Sequence, residues 1–199
     1  MDDLPYIHNS CHTCGLPLPS NQAHCGACIK TPPPYERCVS LLHYQSPVDY
    51  LMKQMKYHRQ LTVADLFSAL LADKIQGNSS TLPELIIPIP LHNQRLQQRG
   101  YNQAIEIARP LSKKLNIPLD IQCSKRQRNT APQFDLPSDQ RKKNLRNAFE
   151  IVHPIPAKHV AVVDDVMTTG STVSSFSQTL IDAGVERVDI WACARATTH

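Results

Sequence analysis

The chain has 199 residues, 41% of them hydrophobic and 19% charged, with a formal net charge of +4. This is ordinary globular composition, so wholesale disorder is excluded, and no stretch approaches the ~18 consecutive apolar residues that span a bilayer. The opening residues carry Asp2 and Asp3 and lack a basic cluster followed by an apolar run, which predicts a cytoplasmic protein with neither secretory leader nor membrane insertion.

The first feature along the chain is a cysteine cluster. Cys11, Cys14, Cys25 and Cys28 follow a C-x2-C-x10-C-x2-C pattern, with Gly15 and Gly26 placed where tight turns need a permissive backbone. Two Cys-x-x-Cys pairs suit a tetrahedral Zn2+, because each turn offers two thiolates, and four thiolates leave no open position for catalysis. Disulfides fit poorly with a cytoplasmic chain, and a redox pair accounts for only one of the two. His12 and His24 are alternative ligands for one cysteine each. The segment is too short and too polar to build a core, so the metal would supply its folding free energy. Residues 31–34, Thr-Pro-Pro-Pro, form a stiff joint that closes this module at residue 34. Cys38, Cys123 and Cys193 lie in apolar or strand-like surroundings and read as packing residues.

Beyond the joint, residues 38–44 read as a strand. A helix starts at Pro47 with Val48, Leu51, Met52 and Met55 on one face, and a second covers residues 61–75. Residues 77–80 are a loop, and 85–90 are a short buried strand ended by its prolines. Residues 101–115 form a helix with Ala104, Ile107, Ala108 and Leu111 inward, and 118–123 a further strand. Residues 124–146 are polar, basic and aperiodic, which predicts a long functional loop. Strands are predicted at 148–152, 160–163 and 187–194, with a helix at 171–183 before Gly184. Strands alternating with helices predict an α/β fold, a parallel sheet with helices on both faces.

The most informative stretch runs from Val160 through Asp164, Asp165, Thr168, Thr169, Gly170, Ser171 and Thr172. An apolar strand ends in two acids, and a Thr/Gly/Ser turn then opens a helix. Free backbone N–H groups and the positive end of the helix dipole make such a turn an anion site. The acids suit the vicinal hydroxyls of a ribose, or a hydrated Mg2+, so the segment predicts recognition of a 5-phosphoribosyl group. It lacks the lysine and spacing of a Walker A loop and the spaced glycines of a dinucleotide fold. A simple capped turn needs one such hydroxyl, not four with two acids.

Residues 162–172 resemble the phosphoribosyl pyrophosphate (PRPP) motif of type I phosphoribosyltransferases. Together with the four cysteines, Lys56-Tyr57, Ile87-Pro88-Ile89-Pro90, Arg95, the run Arg99-Gly100-Tyr101-Asn102-Gln103, Arg128 with Gln133, Arg141 with Asn144, and Ala148-Phe149, the chain resembles the ComF family of competence proteins over nearly its whole length. The resemblance implies a phosphoribosyltransferase-like domain over residues 35–199, with residues 124–146 as a mobile hood. It implies a PRPP site at Asp164, Asp165, Thr168, Thr169, Gly170, Ser171 and Thr172, with Asp164 and Asp165 as the catalytic pair where transfer occurs and Mg2+ accompanying PRPP. The pyrophosphate would meet the loop at residues 91–100.

Charge adds a second theme. Residues 92–149 hold twelve Lys/Arg against four Asp/Glu, and the rest of the chain is mildly acidic. Arg95, Arg99, Arg126, Arg128, Arg141 and Lys142, with Lys125 and Lys143, are candidates for contacting pyrophosphate or DNA, or are simply a solvated surface. Tyr101 and Phe134, with Phe149 at the edge, are the stacking candidates of that segment. The ComF resemblance implies handling of incoming single-stranded DNA in natural transformation, with an uptake channel or helicase as partner. The alternatives are a phosphoribosyltransferase of nucleotide salvage or amidotransferase-like type, and a PRPP-sensing regulator without catalysis. The ligand in each is PRPP or a phosphoribosyl nucleotide.

Overall fold

The computed structural model describes residues 4–19, 22–78, 81–128 and 148–197. Its centre is a parallel four-stranded sheet in the order β1 (Arg37–His43), β6 (Arg187–Arg195), β5 (His159–Met167), β2 (Leu85–Pro88). The apolar runs alternate across the sheet with a period of two, so each strand feeds both faces. Ile86, Ala161, Val163 and Trp191 pack on one side with α2 (Val48–His58), α3 (Thr62–Asn78) and α5 (Gln103–Leu115). Ile87, Val160, Val162 and Ile190 pack on the other with α6 (Ser171–Asp182), through Val173, Phe176 and Leu180. Each fully buried aliphatic side chain contributes about 1.5–3 kcal/mol, so burial on both faces accounts for the unbroken apolar strands.

Both edges of the sheet are covered. Beyond β1, the amino-terminal segment runs antiparallel, with Ile7 N donating to Leu41 O at 3.1 Å and His43 N to Pro5 O at 2.9 Å. The cysteine segment follows and is tied to the same strand by Cys38 N donating to His12 O at 3.0 Å; it contains the short α1 (Gly26–Lys30). Beyond β2, Leu119 pairs with Ile86. Covered edges remove a template for intermolecular strand pairing.

Three local expectations change. Residues 91–100 are not all loop. His92 caps a helix, α4 (Asn93–Arg99), by accepting from Gln94 N, and Gly100 ends it at φ 81°, a left-handed conformation that favours glycine. The strand expected at 118–123 shrinks to the Leu119 bridge, because Asp120 Oδ1 accepts from both Gln122 N and Cys123 N and turns the chain. The predicted loop at 124–146 starts instead as β3 (Ser124–Arg126), antiparallel to β4 (Phe149–Ile151). The remainder of that loop lies outside the described residues.

Candidate functional site

The sheet order creates a crevice before any side chain is considered. From β5 the chain leaves through α6 to β6, while from β2 it leaves on the opposite side through α5 to Leu119. The loops beyond the carboxyl ends of β5 and β2 therefore diverge, and open α/β sheets bind ligands at that point. A cleft of about 160 Å³ lies there, walled by Lys56, Arg95, Arg99, Gln103, Arg126, Asp164, Asp165 and Thr172 among others.

One wall is acidic. The β5 strand continues past the predicted end at Val163, because its pairing with β6 runs on to Met167 opposite Arg195. Asp164 and Asp165 accordingly sit within the strand and are half-buried, rather than ending it as the sequence suggested. Each carboxylate accepts from the next backbone amide, Asp164 Oδ1 from Asp165 N at 2.9 Å and Asp165 Oδ1 from Val166 N at 2.8 Å. Lys56 Nζ, from α2, stands 3.7 Å from Asp165 Oδ2. Burial, reinforced by the neighbouring charge of Asp165, raises Asp164 well above the usual carboxylate range, and Lys56 only partly opposes this.

The other wall is basic. Arg95 and Arg99 come from α4 and Arg126 from β3. Burial lowers Arg95 and Arg126, and each is lowered further by another guanidinium, Arg99 beside Arg95 and Arg95 beside Arg126. Cations held close enough to repel one another favour an anion between them. Asn102 anchors this wall: its Nδ2 donates to Ile89 O at 2.9 Å and its Oδ1 caps α5 at Ala104 N, 3.0 Å. Gln103 is 3% exposed; its Oε1 accepts from Arg99 and its Nε2 is buried without a hydrogen-bond partner among the described residues.

The turn after β5 closes the third side. Gly170 caps α6 at φ 80°, where a Cβ would lie 2.9 Å from Met167 Cε, so glycine is required. Thr169 and Ser171 hydroxyls are 2.8 Å apart beside the first amides of α6, and Thr172 reaches the cleft. Arg195, 6% exposed at the end of β6, holds the turn from behind. Its guanidinium donates to Thr168 O, to Met167 O at 3.2 Å and to Ala196 O at 2.7 Å, and its Nε donates to Cys14 O at 3.1 Å.

That last bond leads to the cysteine cluster. The sulfurs of Cys11, Cys14, Cys25 and Cys28 all lie within 4.8 Å of one another, and Cys14 Sγ is 3.7 Å from Cys25 Sγ. A tetrahedral ion with ~2.3 Å bonds to sulfur has S···S edges of about 3.8 Å, so the donor set fits Zn2+. Burial would raise the Cys11 thiol, but the amides of Cys14 and Cys25 and the Cys14 side chain outweigh it and bring Cys11 down to about 6. Burial pushes Cys14 up to about 11. His12 and His24 stand apart from the four sulfurs: His24 Nδ1 bonds Thr13 Oγ1 at 3.0 Å, and both line a separate cleft. Cys38, Cys123 and Cys193 are buried, with burial raising each thiol, in keeping with packing roles.

A sequence model described as the phosphoribosyl transferase domain matches residues 102–197. The chain is 38% identical over 189 residues to the DNA utilization protein YhgH of Shigella flexneri, covering 93% of this chain and 83% of that one. It is also 38% identical over 193 residues to Competence protein F of Haemophilus influenzae, covering 94% and 84%. The chain belongs to the ComF family. Among solved structures, this ComF-family chain is similar to a glutamine PRPP amidotransferase from B. subtilis, with 18% identity, a TM-score of 0.44, and coverage of 65% of this chain and 26% of that one.

The structure thus brings Asp164, Asp165, Thr172, Arg95, Arg99 and Arg126 to one cleft, while Thr168, Thr169, Gly170 and Ser171 form the turn that leads to Thr172 and do not themselves line it. It does not unite the whole basic set. Arg128 is exposed beyond β3, and Lys125 pairs with Glu150 at 3.2 Å. Arg141, Lys142 and Lys143 lie outside the described residues, as does Phe134. Phe149 is not available for stacking on a base, because it is 5% exposed and packs against Phe176 with ring centroids 4.9 Å apart. Sequence reasoning did not list Lys56, Asn102, Gln103 or Arg195 as site residues. An Asn-Gln pair just before an inward apolar period is a helix-start signal that points to Asn102. Lys56 and Arg195 reach their partners only through the sheet order. Among the described residues, no helix is long and apolar enough to cross a membrane.

Proposed function

We propose that this ComF-family chain binds PRPP, or a phosphoribosyl nucleotide, in the cleft and handles incoming single-stranded DNA in natural transformation. One observation carries the ligand: a carboxylate pair, Asp164 and Asp165, faces Arg95, Arg99 and Arg126 across a cleft of about 160 Å³ that abuts the amino end of α6. The carboxylates suit ribose hydroxyls and hydrated Mg2+, the α6 turn suits the 5-phosphate, and the arginines suit pyrophosphate. Mg2+ bound there would neutralise charge on the pyrophosphate; Asp164, Asp165 and the Thr172 hydroxyl are the oxygens suited to its hydration shell. The printed names of the relatives, a DNA utilization protein and a competence protein, support the DNA role.

The cysteine cluster fits a structural Zn2+ in a module ending at residue 34, ahead of a phosphoribosyltransferase-like domain over 35–199. Work on incoming DNA would be cytoplasmic, beside an uptake channel or helicase.

A second reading, transfer of the phosphoribosyl group, is favoured by the raised basicity of Asp164. A carboxyl made more basic by burial and by a neighbouring carboxylate is better suited to act as a general base than an ordinary one.

Calorimetric titration with PRPP and Mg2+ tests the ligand. Asp164→Ala with Asp165→Ala should weaken binding at least about 100-fold, because each charge-assisted hydrogen bond contributes roughly 1.5–3 kcal/mol. Equal affinity in variant and parent overturns the site. Pyrophosphate release in the presence of DNA or a nucleobase separates transfer from binding alone.

A further inference from the structure

Among the described residues, the exposed aromatic side chains Tyr50 and Tyr57 lie outside the basic segment that the sequence singled out. Helix α2 turns Val48, Met52 and Met55 into the core, which leaves the opposite face to solvent. On that face Tyr50 is 59% exposed and Tyr57 is 67% exposed. At seven residues' separation they share one stripe, about 10 Å apart along the axis. Lys53 lies between them, and Asp49, the acid of this helix, is already engaged by Lys53 at 3.3 Å. Exposed tyrosines interleaved with cations match what flat bases on a polyanion require.

Four interactions join this face to the cleft. Tyr57 lies within electrostatic range of Arg95. Arg59, in a left-handed conformation at the end of α2, lays its guanidinium against Gly100, where an added Cβ would have to displace it. Arg59 and Arg99 both act on the phenol of Tyr101. Lys56, one residue before Tyr57, reaches Asp165 inside the cleft. The stripe is therefore continuous with the cleft's basic wall.

We propose that the outer face of α2 is a platform for single-stranded DNA, with Tyr50 and Tyr57 stacking on unpaired bases and Arg59, Arg95 and Arg99 meeting the phosphates. This rests on the DNA role proposed above and names the surface that performs it. It also gives the strand a direction, since bases stacked on Tyr50 and Tyr57 continue past Arg95 toward Asp164 and Asp165.

The test uses the full chain and a fluorescein-labelled 20-nucleotide oligothymidylate, with anisotropy read across a salt series. The parent should bind at low salt. Tyr50→Ala and Tyr57→Ala should each weaken binding about five- to tenfold at every salt concentration, because stacking is not screened, while Tyr57→Phe stays within about twofold of the parent. Arg59→Ala should instead flatten the slope of log K against log salt by about 0.7. PRPP affinity, measured by calorimetry on the same preparations, should be unchanged in the tyrosine variants and shows that they are folded. A parent that binds, with alanine variants binding equally well, overturns the platform and leaves the DNA role standing. A parent that fails to bind at low salt overturns the DNA role itself. A dimer, seen by sedimentation, that dissociates on Tyr50→Ala with Tyr57→Ala while DNA affinity is unchanged makes this face a self-interface and also overturns the platform.

Discussion

Arg195 is where the cysteine cluster, the sheet and the turn after β5 meet, so truncating it should loosen all three. Arg195→Met keeps the aliphatic stem and removes the guanidinium with its bonds to the carbonyls of Cys14, Met167, Thr168 and Ala196. A hydrogen bond to a charged group contributes about 1.5–3 kcal/mol, but an acceptor that regains water recovers most of that. The Met167 carbonyl keeps the bond it accepts from Ala196 N at 2.9 Å, and the contacts to Cys14, Thr168 and Ala196 are only part-buried and would rehydrate. Taking ~0.5–1 kcal/mol for each of the four lost bonds gives a loss of about 3 kcal/mol. At 2–4 °C per kcal/mol for a chain of this size, Tm should fall by roughly 6–12 °C in a calorimetric scan. PRPP affinity should fall about tenfold even at temperatures where the variant is folded, because the Thr168 carbonyl no longer fixes the turn. Arg195→Lys restores a charge but not the planar fork, so it should recover only part of each loss. A Tm within about 3 °C of the parent, with unchanged PRPP affinity, refutes the role given to this residue.

Metal analysis of reduced, purified protein should find one Zn2+ per chain, and less than about half an equivalent refutes the four-thiolate site. Chelation should lower Tm, since metal binding to the folded segment adds to stability by mass action. Asp164→Asn should raise Tm at pH 7.5 by a few degrees while it abolishes Mg2+-dependent PRPP binding; a lower Tm refutes the account of Asp164 as a costly buried charge. The sign follows from linkage: Asp164 is raised on folding, so the folded state holds its proton longer, and stability falls as pH rises from the unfolded value through the folded one. In the parent this contribution should vanish from a Tm-against-pH curve when Asp164 is replaced. Phe176→Ala should cost about 3–5 kcal/mol by urea titration, because Phe176 is fully buried and braces Phe149 of the β3–β4 hairpin.

What could be read in advance was what the chain encodes locally. The strand, turn and helix of residues 160–183 lie within one short stretch, so apolar alternation, two acids, a hydroxyl-rich turn and Gly170 could all be seen together. The four cysteines were legible for the same reason. Element ends were decided by single side chains that periodicity does not register: His92 nucleating α4, and Asp120 turning the chain after Leu119. Charge counted along the chain drew attention to residues 92–149, and Lys56, which lines the same cleft from α2, falls outside that count. Long-range partners were illegible singly, yet they follow once the strand order is known. With β6 between β1 and β5, a long polar side chain at the carboxyl end of β6 must lie between whatever covers the end of β1 and the turn that follows β5. Arg195 occupies that position, with Cys14 on one side and Thr168 on the other. The same order puts β5 beside β2, so Asp164 and Asp165 must face whatever follows β2, which is the arginine-bearing α4. Sheet order, more than any motif, turns a local anion site into a cleft with two walls of opposite charge.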